Sequence, residues 1–95
     1  MKSFTFDWNP QKAATNLAKH NVSFDEASTI FDDILSYTFA DKWHSIGEQR
    51  EITIGYSSGN RLLIVVSTER ESVIRIISAR EANKHERKEY EHNAF

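Results

Sequence analysis

The chain has 95 residues, 39% of them hydrophobic and 27% charged, and a formal net charge of -2, which suits one modest core and is too little for two. It lacks cysteine, so a disulfide framework, a thiolate metal site and a cysteine nucleophile are all excluded. No apolar run approaches the ~20 residues of a membrane span and no signal-peptide core opens the chain, so a single cytoplasmic domain over residues 1–95, without a membrane partner, is expected.

Ser3 to Asp7 alternates Phe4 and Phe6 with polar residues and predicts a short first strand with one buried face. Asn9-Pro10 marks a helix start, because the asparagine can cap and proline at the first helical position loses no hydrogen bond. Ala14, Leu17 and Ala18 share one face of this helix, with Ala13 at its flank, and are expected inside. Lys19-His20-Asn21 closes it, since cations suit the C-terminal dipole and asparagine accepts the left-handed conformation. Ser23-Phe24-Asp25-Glu26 has capping-box spacing and starts a second helix, with Ala27, Ile30 and Phe31 inward and Asp32-Asp33 as its stop. Two short helices joined this closely should pack as a hairpin.

From Ser36 the period changes to two. Tyr37 and Phe39 alternate with Thr38 and Ala40 in a predicted strand, and a polar loop from Asp41 to Glu48 carries Trp43, His44 and Gly47. Arg50 to Tyr56 alternates again, with Ile52, Ile54 and Tyr56 on one face. Ser57-Ser58-Gly59-Asn60 is a turn, and the unbroken Leu62-Leu63-Ile64-Val65-Val66 beyond it implies a strand buried on both faces and hence central. After a second turn at Glu69-Arg70-Glu71-Ser72, Val73 to Ala79 forms the last strand. Asn83-Lys84-His85-Glu86 then opens a mostly charged final helix. This order makes an α+β fold with an antiparallel sheet of four to five strands.

Arg75 and Arg80 are not explained by core packing, because an unpaired buried guanidinium is costly; each needs a carboxylate or an anionic ligand. Strict alternation places them on opposite faces of the last strand unless it twists or bulges. His44 lies among Asp41, Lys42, Ser45, Glu48 and Arg50, a mixed-charge setting that can tune an imidazole for proton transfer; an exposed loop histidine without a role is the plainer alternative. His20 fits a helix C-terminus, and His85 and His92 a solvated helix. The histidine and carboxylate spacings give no metal site, and there is no Gly-rich phosphate loop.

The N-terminal third carries Phe6-Asp7-Trp8-Asn9-Pro10-Gln11-Lys12, Asn16, Lys19-His20-Asn21-Val22-Ser23-Phe24-Asp25-Glu26-Ala27 and Phe31-Asp32-Asp33. Next come Asp41, His44, Ser45, Gly47-Glu48 and Arg50, then Gly55-Tyr56-Ser57 and Thr68-Glu69-Arg70. Arg75-Ile76-Ile77-Ser78-Ala79-Arg80-Glu81-Ala82, with Glu86-Arg87 and Tyr90, closes the series. In this order and spacing the segments resemble the BrnT family of ribonuclease toxins from type II toxin–antitoxin systems; Asn21 departs from the glycine usual there. The resemblance implies a RelE-like fold, with an N-terminal helical hairpin and a C-terminal helix on the antiparallel sheet. It implies RNA cleavage that inhibits translation, with neither metal nor other cofactor. It also implies a cognate BrnA-like, DNA-binding antitoxin, and contact with operator DNA only through the antitoxin complex. Toxins of the RelE type often act on messenger RNA held by the ribosome, which would relieve the demand that an acidic chain bind RNA alone.

In such a reaction the 2′-hydroxyl attacks the adjacent phosphorus, which calls for a base, an acid and cations around the phosphorane. Arg80, at the strand end, is the first candidate cation and Arg50 the next; His44 is the acid or base, with Glu48 to orient it. Arg75, Lys12, Lys19 and His20 are expected to bind the RNA backbone. The competing readings are a non-catalytic protein-binding module and a degenerate toxin that retains only antitoxin binding.

Overall fold

The computed structural model describes residues 4–94, so Ser3, expected to open the first strand, lies outside the described residues. Strands β1 (Thr5–Trp8), β2 (Tyr37–Ala40), β3 (Glu51–Tyr56), β4 (Leu62–Arg70) and β5 (Val73–Glu81) form one sheet in the order β1-β5-β4-β3-β2. β2 to β5 make an antiparallel meander, and β4 lies at the centre of the five-stranded sheet, as the apolar run predicts. β1 differs, because it joins β5 in parallel. No tight turn connects these two strands, so nothing local dictates antiparallel pairing.

One sheet face is covered by α1 (Pro10–His20), α2 (Phe24–Ser28) and a 3-10 turn at Thr29–Asp32. Val22, Phe24, Ala27 and Ile30 pack there on Leu63, Val65, Ile76 and Ala79, with Phe6, Trp8 and Phe31 at the margin. The other face is partly covered by α3 (Lys84–Ala94), whose Tyr90 is buried against Ile54, Leu62 and Ile64. All three helix starts use the predicted caps. Asn9 Oδ1 accepts from the amides of Gln11 and Lys12, and Ser23 Oγ from that of Glu26. Asn83 and Glu86 cap each other reciprocally at 2.8 and 2.9 Å. Asn21 ends α1 in the left-handed conformation, φ 56°.

α1 is rolled away from the face its apolar spacing predicts. Ala14 and Ala18 are exposed and Leu17 is 49% exposed, while Asn16 is buried and Ala13 half-buried. The reason lies on β5. β1 pairs only as far as Trp8 with Ile76, so among the described residues the outer edge of β5 continues without a strand beside it. Asn16 fills that gap: its Nδ2 donates to the carbonyl oxygen of Ala79 at 2.8 Å, and its Oδ1 accepts from the Ala79 amide at 3.1 Å. A leucine could satisfy neither group.

Where β1 ends, β5 also bulges. Ile76 pairs with Ser67 and Ser78 with Val66, leaving Ile77 as an extra residue. Arg75 opposes Thr68 and Arg80 opposes Ile64, two residues of β4 that share a face. The bulge therefore places both arginines on the face that carries α3, where strict alternation separates them.

Candidate active site

The site is built at the end of that face which α3 leaves open. Arg50 immediately precedes β3, and hydrogen bonds fix its backbone. The Asp41 amide donates to the Arg50 carbonyl at 2.8 Å, and Ser45 Oγ accepts from the Arg50 amide while donating to the carbonyl of Asp41. Buried Thr68 on β4 donates through Oγ1 to the Gln49 carbonyl at 2.9 Å. These contacts close the neck of the loop between β2 and β3.

Beside Arg50 stand Arg75 of β5, Arg70 at the end of β4 and Lys12 in the first turn of α1. They line a groove of about 520 Å³ with Asp7, Glu48, Val73 and the bulged Ile77. Among the described residues four cations thus meet two carboxylates, a local excess of positive charge on an acidic chain. Arg75 Nη1 lies 3.3 Å from Asp7 Oδ2, and Arg70 Nη2 lies 3.1 Å from Glu48 Oε2. Arg50 differs from both, since its Nε is buried and meets no acceptor among the described residues. A buried guanidinium N–H without a partner costs free energy.

Lys19 and His20 lie outside this groove but line an adjoining hollow of about 450 Å³. Lys12 and Ile77 belong to both, so the cations form one continuous track from Arg70 to His20. His44 lines neither. Its Nδ1 sits 3.0 Å from Oδ2 of the buried Asp41, and its own side chain is 69% exposed. That contact holds the ring on Nδ1 and leaves Nε2 for another partner. Glu48, expected to orient His44, instead pairs with Arg70.

Arg80 shares a face with Arg75 but is engaged elsewhere. Its guanidinium meets Glu86 in two bonds of 2.8 and 2.7 Å and also donates to the Glu81 carbonyl. Those bonds hold Glu86 below the usual carboxylate range and raise Arg80. Sequence reasoning did not single out Asp7, Arg70 or Asp41 for the site. Asp7 becomes visible only once β1 is known to run parallel to β5 beside Arg75. Asp41 had a local signal, its i,i+3 spacing to His44. Among the described residues, no group of three or more His, Asp or Glu side chains is placed to hold a metal ion.

A family model described as the ribonuclease toxin BrnT of type II toxin–antitoxin systems matches residues 8–86, which include every groove residue except Asp7. The 1.1 Å crystal structure of the Brucella abortus ribonuclease toxin BrnT is similar in fold, with a TM-score of 0.68 and 24% sequence identity. The likeness covers 86% of this chain and 100% of that one. No curated protein sequence matches the chain. The chain belongs to the BrnT family of ribonuclease toxins of type II toxin–antitoxin systems.

Proposed function

We propose that the groove of Lys12, Arg50, Arg70 and Arg75 is where this toxin cleaves RNA endonucleolytically, by attack of a 2′-hydroxyl on the adjacent phosphorus without a metal ion. The observation that carries this reading is the gathering of Lys12, Arg50, Arg70 and Arg75 around one groove. Arg50 and Arg75 grip the scissile phosphate, where planar guanidinium forks meet paired oxygens and offset charge in the phosphorane. Glu48 in the groove, and His44 outside it on the same loop with its ring held by Asp41, are the acid and base of this reading. Lys12, Lys19 and His20 carry the RNA backbone away along α1. Arg80, bound by Glu86, anchors α3 and takes no direct part.

The toxin acts in the cytoplasm, and its RNA is presented by the ribosome, which removes the burden of free binding from an acidic chain. A DNA-binding antitoxin neutralises it and brings the pair to operator DNA. Arg50→Ala should lower the rate of RNA cleavage at least ~100-fold, as removal of a transition-state donor does, and should abolish growth arrest on induction. Cleavage should persist in EDTA. Wild-type cleavage by Arg50→Ala sinks the assignment of the groove, and activity lost in EDTA but restored by a divalent ion sinks the metal-free mechanism.

A further inference from the structure

Trp43 and Ile46, in the loop between β2 and β3, are each 89% exposed. The loop is otherwise polar, and such side chains gain nothing from water. It is also well anchored, because the Asp41–Arg50 bond and the Ser45 bridge close its neck. Trp43 is therefore presented by the segment that fixes Arg50, one residue from His44. Glu48 of the same segment lines the groove and also a hollow on the loop formed with Lys42, Ser45 and Gln49.

The groove itself is equipped for phosphate and not for bases, since none of its lining residues is aromatic among the described residues. In-line attack by a 2′-hydroxyl needs a nucleotide free to leave helical stacking, and unstacked bases are commonly held on aromatic rings. We propose that Trp43 is the stacking platform for a base flanking the scissile phosphate of single-stranded RNA. The inference rests on the groove being the cleavage site.

Trp43 also supplies the probe. Trp8, the other tryptophan, is half-buried in a T-shaped contact with Phe24, so a change in indole emission on titration reports mainly on Trp43. A single-stranded 2′-O-methyl oligoribonucleotide, which cannot be cleaved, should quench wild-type emission and leave Trp43→Phe unresponsive. With cleavable RNA, Trp43→Ala should raise KM roughly ten-fold at nearly unchanged kcat, and Trp43→Phe should restore most of the loss. An unchanged KM in Trp43→Ala, alongside an inactive Arg50→Ala, overturns the platform and leaves the groove standing. Wild-type cleavage by Arg50→Ala overturns both. Emission that answers to the antitoxin but not to RNA assigns Trp43 to a protein interface and overturns the platform.

Discussion

At Asn16 a single carboxamide stands in for a strand that stops too soon. Its two bonds to Ala79 and a third to the carbonyl of Val22 make it a polar keystone between α1 and β5. Asn16→Leu keeps the branched shape but strands buried backbone groups, and should cost about 3 kcal/mol in urea unfolding. The turn between β4 and β5 runs the other way, since Glu71 and Ser72 both have positive φ, 49° and 69°. Two-residue hairpins favour such angles, but asparagine and glycine adopt them far more readily. Glu71→Asn with Ser72→Gly should therefore stabilise the chain by ~1 kcal/mol, read as a higher thermal midpoint. The caps at Asn9, Ser23 and Asn83 were legible because each is settled within four residues. The burial of Asn16 was not, because apolar spacing points to Leu17 and only the unpaired edge of β5 explains the choice.

Among the elements, α3 is mostly charged, and polar contacts hold it. Tyr90 Oη donates to Asp33 Oδ2 at 2.8 Å, while its ring stacks on Tyr37 and meets Tyr56 edge-on. Arg80 and Glu86 fasten the first turn of the helix. Gly55 allows the segment bearing Asp33 to come this close, because a Cβ there would lie 2.7 Å from that of Ser36. Glu86→Gln weakens both the ion pair and the reciprocal cap. It should cost about 1 kcal/mol, given the partial exposure of Arg80. Hydrogen exchange should speed up in α3 while β4 stays protected; equal acceleration in both would show that the helix does not open alone. The existence and type of the strands were readable from period-two alternation, and those of the helices from the spacing of their caps. What periodicity could not supply was the parallel docking of β1, and with it the meeting of Asp7 and Arg75, because that contact depends on two distant segments.

For the whole molecule, charge sets the pH range of stability. Arg61 donates to Glu26 and holds it below its ordinary value of 4.5. Burial pushes Asp33 up, but the amides of Tyr56 and Leu35 and the Tyr90 hydroxyl outweigh it and leave it below 3.8. Glu86 is lowered by Arg80 in the same manner. In acid the unfolded chain binds these protons first. The stability from the three groups is thus complete above about pH 4.5 and is lost as pH falls through the depressed folded values. Tyr90 has the opposite sign: burial, and then Asp33, raise it from 10.0 to about 12, so its contribution drains away as pH rises through that interval. Urea midpoints measured against pH should show a plateau between two falling arms. Glu26→Gln should flatten the acid arm, and Tyr90→Phe the alkaline one. At constant pH, Lys12→Gln should reduce the salt dependence of RNA binding by about one phosphate contact.

The extra residue at Ile77 also changes how relatives should be aligned. Arg75 and Arg80 are five positions apart, an odd spacing that an unbroken strand turns into opposite directions. With the bulge, odd behaves as even. A relative lacking one residue here would keep both arginines on the same face with a regular ladder, so a single gap at this point is neutral to the site. A relative of equal length without the bulge would have turned its second arginine beneath the N-terminal helices. Parity, more than identity, is the quantity to conserve in this strand.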